Sequence, residues 1–217
     1  MTDITLYLGN RNYSSWSLRA WLAMKRTGAD FAEEVIPLRQ PDTRQQILRY
    51  SPSGKVPALH HKGTVVWDSL AIAEFLAETY PEAKLWPDDP AERAAARAVS
   101  NEMHSGFMDL RRNMPMNIRS SFPGREIAPD TQNDINRITA IWRDCRRKHG
   151  AGGDFLFGAF TIADAAFVPV ASRFKTYGIE LEDMPRAYAD TLLNLPEMRA
   201  WSEAAHNEPW VIPDFEF

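Results

Sequence analysis

Apolar positions along this chain follow one rhythm in its first eighty residues and another beyond them. Ile4-Thr5-Leu6-Tyr7-Leu8 is short, β-branched and aromatic, and Gly9-Asn10 closes it, which predicts a strand. Leu18, Trp21 and Leu22 then fall at i, i+3 and i+4 and Gly28 ends the run, which predicts a helix over 15–27. Ala32 to Pro37 reads as a second strand, and 42–50 as a weak helix. Val56 to His61 and Thr64 to Trp67 flank Lys62-Gly63, a two-residue hairpin turn. From Asp68-Ser69 a helix begins in which Ile72, Ala73, Leu76 and Tyr80 share a face, until Pro81 stops it. The order βαβ, α, ββα needs no long connection and predicts one α/β unit over 1–81.

The segment 82–90 holds Pro87 and Pro90 with little periodicity and reads as a linker. Residues 91–217 form a second, all-helical domain, with helices predicted at about 91–114, 130–148, 162–176 and 195–206. Residues 177–194 stay unassigned.

Composition narrows the function classes. A net charge of −4 gives no reason to expect nucleic acid or a membrane as partner, and Arg111-Arg112 and Arg146-Arg147-Lys148 read as solvated helix faces. No apolar run approaches the roughly 20 residues of a membrane span, and no secretory signal is apparent. One cysteine, Cys145, excludes an internal disulfide, suits the cytoplasm and reads as a buried structural thiol.

Three features of the α/β unit converge on one chemistry. Tyr13-Ser14-Ser15-Trp16-Ser17 puts hydroxyls and free N–H groups at the positive end of a helix, where a thiolate is welcome. Pro57 opens a sheet strand, which fits a cis bond or a neighbour, Val56, whose backbone groups are left free for an extended peptide ligand. Asp68-Ser69 opens another helix, where a hydroxyl and N–H groups suit a carboxylate and Asp68 suits an ammonium. A thiolate, a peptide backbone and an amino-acid head group together describe glutathione. Each turn also has a plain reading, in which its serine or aspartate only caps a helix.

On these residues the chain resembles the glutathione transferases. The N-terminal part looks like their thioredoxin-like domain, with Val56-Pro57 matching its cis-proline motif. Asp68-Ser69-Leu70-Ala71-Ile72 is similar to the segment that holds the γ-glutamyl group, and Phe160-Thr161-Ile162-Ala163-Asp164 to the family's buried capping box. Ser14-Ser15-Trp16-Ser17-Leu18-Arg19 most resembles the zeta class, which includes maleylacetoacetate isomerase. Trp16 stands where that class keeps a cysteine, Lys55 where it usually has glutamine, and Asn10-Arg11-Asn12 lengthens the preceding loop.

The resemblance implies an α/β thioredoxin-like domain followed by an all-α domain, a homodimer, glutathione as co-substrate and no metal. It makes Ser14 the first choice for the thiolate donor, Ser15 the second and Tyr13 a weaker one. Lys55, Val56, Pro57, Asp68 and Ser69 would hold glutathione; Arg173 and His104 would meet an electrophile held against the helical domain. His60 and His61 point to opposite faces of a strand, which argues against a joint metal site. Conjugation of a small electrophile is the leading activity. Isomerisation of a maleyl-type acid and a binding module with little turnover are the alternatives.

Overall fold

In the computed structural model, which describes residues 3–217, four strands form one sheet in the order β2-β1-β3-β4. They are β1 (Ile4–Leu8), β2 (Ala32–Val35), β3 (Ala58–His61) and β4 (Thr64–Val66). β1 and β2 run parallel, which requires a crossover, and α1 (Ser15–Arg26) supplies it. β1 and β3 are antiparallel with Leu6 opposite Leu59, and β3 turns into β4 through Lys62 and Gly63, both at positive φ. That turn matches the right-handed twist of the paired strands.

The alternation in β1 distributes side chains between two cores. Ile4, Leu6 and Leu8 enter the main core. Tyr7 points the other way and packs with Ile36, Ala58 and Ile47 of α2 (Thr43–Leu48). Over the main face lie α1 and α3 (Ser69–Thr79), and a 3₁₀ turn at Pro81–Ala83 follows.

The helical part comprises α4 (Pro90–Ser105), α5 (Met108–Asn113), α6 (Pro129–His149), α7 (Ile162–Tyr177), α8 (Asp183–Leu193) and α9 (Pro196–His206). α7 is its axis, buried everywhere except at Lys175. A helix that is apolar nearly all round must be enclosed, and α1 and α4 pack against it, so one core runs through both parts. The capping box at its start forms: Asp164 Oδ2 accepts the Thr161 N–H at 2.8 Å. Asp164 Oδ1 also accepts from Leu156 N at 3.0 Å and the Tyr188 hydroxyl at 2.8 Å, satisfying a carboxylate that lies fully inside.

Two predicted elements change. The single helix over 91–114 is broken: a Cβ on Gly106 would stand 2.8 Å from the Glu102 carbonyl, and Phe107 adopts φ 60°. The unassigned stretch contains α8, whose Pro185, Tyr188, Ala189 and Leu192 form a regular buried stripe. An acidic opening and an internal proline conceal that stripe in the sequence.

Candidate active site

The serine turn divides its two hydroxyls between two tasks. Asn10 anchors the loop before it, accepting Leu38 N at 2.7 Å on its side chain and Ser14 N at 2.8 Å on its carbonyl. Ser14 caps α1: its Oγ accepts Ser17 N at 3.3 Å and donates to Ser17 Oγ at 2.8 Å, which in turn accepts Gly9 N at 2.9 Å. Ser15, the first helical residue, has its Oγ 3.3 Å from Arg173 Nη2, which donates to it. The Ser15 hydroxyl donates no hydrogen bond among those of the described residues.

Arg173 lies on α7, buried, where its Nε donates to the Met114 carbonyl at 2.8 Å and its Nη1 to that of Pro169 at 3.2 Å. It forms no ion pair among the described residues. Burial, and then the charge of Arg111, push its guanidinium down to about 9. Such a group favours an anion beside it.

These side chains open on a cleft of about 390 Å³ between the two parts. Ser14, Ser15, Lys55, Val56 and Arg173 all line it, so five of the sequence-predicted residues converge there. The Val56–Pro57 peptide is cis, with Pro57 buried behind it. The opposite wall is Pro115, Met116 and Phe215.

Tyr13 also borders the cleft, but its hydroxyl donates to Glu216 Oε1 at 2.6 Å and accepts from Arg119 Nη2 and Ile212 N. It ties the C-terminal segment down rather than serving a ligand.

Arg111 is the residue that sequence reasoning misplaces. It is half-buried in the cleft wall, with its guanidinium 4.7 Å from the centre of the Trp16 ring. Its Nε donates to the Gly106 carbonyl at 2.9 Å and its Nη2 to that of Met103. The break at Gly106-Phe107 turns α5 so that Arg111 faces in and Arg112 faces solvent; the glycine is the signal available in the sequence. Arg146 likewise turns back on Gly150, Gly153 and Phe155 carbonyls, whereas Arg147 and Lys148 stay exposed.

The second turn lies on the other side of Trp16. Asp68 caps α3 through Leu70 N at 3.0 Å and Ala71 N at 3.2 Å, and its Oδ2 meets His104 Nε2 at 3.1 Å. Asp68 is exposed and open to a cationic group. His104 packs edge-on against Trp16 instead of lining the cleft. Ser69 is buried, and its side chain lines a small separate pocket with Arg19.

Elsewhere, Cys145 is buried, and burial pushes its thiol up to about 11. His60 bonds to the Tyr50 carbonyl and His61 to the Tyr80 hydroxyl. Among the described residues no cluster suits a metal ion, and no helix is long and apolar enough to cross a membrane.

Residues 13–79, which contain both turns, match the glutathione S-transferase N-terminal domain family. The chain is 27% identical to a probable maleylacetoacetate isomerase of Caenorhabditis elegans, over 88% of its own length and 89% of the relative's. It is 29% identical to the maleylacetoacetate isomerase of Rattus norvegicus, covering 83% and 82%. Its fold is also that of a Burkholderia glutathione transferase homologue solved with bound glutathione, at TM-score 0.70 and 24% identity over 94% and 98% of the two chains. An Omega 3C glutathione transferase of Trametes versicolor superposes with TM-score 0.71 at 21% identity, over 93% and 89%. Taken with the cleft built around Ser15, Val56 and Arg173, these matches identify residues 13–79 as a glutathione S-transferase N-terminal domain, in a chain similar over most of its length to maleylacetoacetate isomerases.

Proposed function

We propose that the chain is a glutathione transferase in which Ser15, not Ser14, donates to the sulfur. The observation that carries this is the bond from Arg173 to Ser15 Oγ. It occupies the oxygen and leaves the hydroxyl proton for the cleft, whereas the Ser14 hydroxyl is engaged by Ser17. On binding, the glutathione thiol ionises and its proton leaves to water; the sulfur then bonds to the electrophilic carbon, and with an aryl halide the carbon–halogen bond breaks and halide leaves with its electron pair. Lowering a thiol pKa by about two units requires roughly 2.7 kcal/mol of selective thiolate stabilisation. One charge-assisted hydroxyl bond supplies on the order of 1.5–3 kcal/mol, and the start of α1 about 0.3–1 more. Arg173 adds a nearby positive charge. The free backbone of Val56 holds the tripeptide's cysteinyl unit, Lys55 a terminal carboxylate and Asp68 the γ-glutamyl ammonium. Trp16 and Arg111 form the acceptor's wall.

Titrating the thiolate absorbance of bound glutathione tests the reading. The thiol pKa should rise toward that of free glutathione in Ser15→Ala and stay low in Ser14→Ala. An unchanged pKa in Ser15→Ala overturns it. Retention on immobilised glutathione without conjugation of an aryl halide would instead indicate a binding module.

Glutathione-dependent isomerisation of a maleyl-type acid is the second reading. It is favoured by the names of the two animal relatives and by the two arginines, Arg111 and Arg173, in the cleft. Turnover of maleylacetone, lost in Arg173→Met, promotes it; no turnover discards it. A homodimer in the cytoplasm completes the proposal from the family resemblance, and elution as a monomer on size exclusion would remove the dimer.

A further inference from the structure

The pocket that Ser69 borders is separate from the cleft, and it contains the least compensated charge among the described residues. Arg19, in the second turn of α1, is 5% exposed. Its Nε, Nη1 and Nη2 are all shielded from solvent and have no hydrogen-bond partner. The Ser69 hydroxyl is buried and unpartnered in the same way. Both border one pocket of about 20 Å³, which Ser100 and His104 of α4 and small apolar residues of α3 and α7 complete. The carboxylate beside its rim, Asp68, is directed at His104 and at the first N–H groups of α3.

An unpaired buried cation is costly, and removing its partner is far worse than removing the pair. The Trp16 ring, 4.6 Å from the Arg19 guanidinium carbon, supplies an attractive π face but no hydrogen-bond acceptor for the N–H groups. Arg111 and Arg173 raise the local positive potential further, and they bear on Arg19 most after burial itself. A guanidinium offers donors only, so it is matched by an occupant that only accepts. The pocket's 20 Å³ exceeds the roughly 10–15 Å³ that one water needs, so it has room for a single small occupant.

We propose that this pocket binds a single small monovalent anion of the halide class, held by the Arg19 guanidinium and the Ser69 hydroxyl. Because its walls come from α1 and α3 on one side and α4 and α7 on the other, the ion links the two parts of the fold. The proposal stands apart from the glutathione reading.

The test uses the full chain, freed of chloride and titrated with sodium bromide against sodium gluconate at equal ionic strength. Bromide should raise the melting temperature saturably by about 2–4 °C, the shift expected when a bound ligand stabilises a protein of this size modestly. Crystals soaked in bromide should show a bromine anomalous peak between Arg19 and Ser69. Arg19→Met should lose both signals. Ser69→Ala, which keeps the cation, should need several-fold more bromide for half-saturation, and it preserves the test if Arg19→Met does not fold. Equal melting in the two salts with no bromine peak overturns the proposal and leaves the pocket to water. So does a bromide shift that survives in Arg19→Met, or a peak that glutathione displaces, which would assign the pocket to a glutathione carboxylate.

Discussion

The starts of α1 and α3 are built from the same two-residue pattern and end up with different chemistry. In each, the first residue, Ser14 or Asp68, caps the helix, and the second, Ser15 or Ser69, lines a space bordered by a buried arginine. At α1 the arginine is Arg173, bonded to the serine and to two carbonyls, on a cleft of about 390 Å³. At α3 the arginine is Arg19, unpartnered, on a pocket of about 20 Å³. Capping and the lining of a cavity are thus handled by neighbouring residues, and in the proposed reading the size of the space beyond the second hydroxyl decides what it can meet.

The strongest way to break this comparison is to remove the α1 pair. Ser15→Ala should lower kcat/KM for aryl halide conjugation by about 10- to 100-fold, the size of one charge-assisted hydrogen bond to a thiolate. Arg173→Met should cost at least as much, because it removes a cation and leaves the Met114 and Pro169 carbonyls without their donor. Steady-state kinetics with varied glutathione reads both. If Ser14→Ala proves the more damaging serine variant, the division of labour is reversed.

The caps should respond differently. Ser14→Ala removes an N-cap worth about 1 kcal/mol, which lowers the melting temperature by about 2–4 °C while kcat/KM changes only a few-fold. Asp68→Asn keeps the capping oxygen and removes the charge. Its melting temperature should hardly move, while KM for glutathione rises about 3- to 10-fold with kcat unchanged, as expected when one ionic contact to the ligand is weakened. A fall in kcat with no change in KM would instead place Asp68 in the chemical step, acting through His104.

Much of this arrangement is legible in the sequence alone. Short β-branched runs, the Lys62-Gly63 turn and the serine and aspartate at the helix starts are local signals, and the elements they predict form nearly as read. Legibility fails where the deciding interaction is distant along the chain. Nothing near Ser15 indicates that Arg173, 158 residues away, engages its oxygen, so local signals leave the choice between the two serines open. Arg111 looks like half of an exposed pair until Gly106 redirects the helix, and nothing local to Arg19 shows that α4 and α7 close over it.

The smallest expected effect sharpens the comparison from the side of the sulfur. Both turns present hydroxyls, and the proposed mechanism takes its reactive sulfur at α1 from the ligand. The chain's own thiol, Cys145, is buried on α6, and its pKa stands at about 11 against an ordinary 9.0. At pH 8 it is a neutral thiol, and alkylating agents attack thiolates. Brief iodoacetamide treatment of the native protein should therefore leave Cys145 unlabelled by mass spectrometry and conjugation undiminished, while the unfolded chain labels fully. The shift also fixes a sign for stability. Its contribution is intact below pH 9, where the thiol is protonated in both states, and it is lost toward pH 11 as the unfolded chain gives up its proton first. Cys145→Ala should remove that part of the alkaline decline. Rapid labelling at pH 8 with loss of conjugation would instead put a protein sulfur into the chemistry and undo the assignment of the α1 turn to a ligand thiolate.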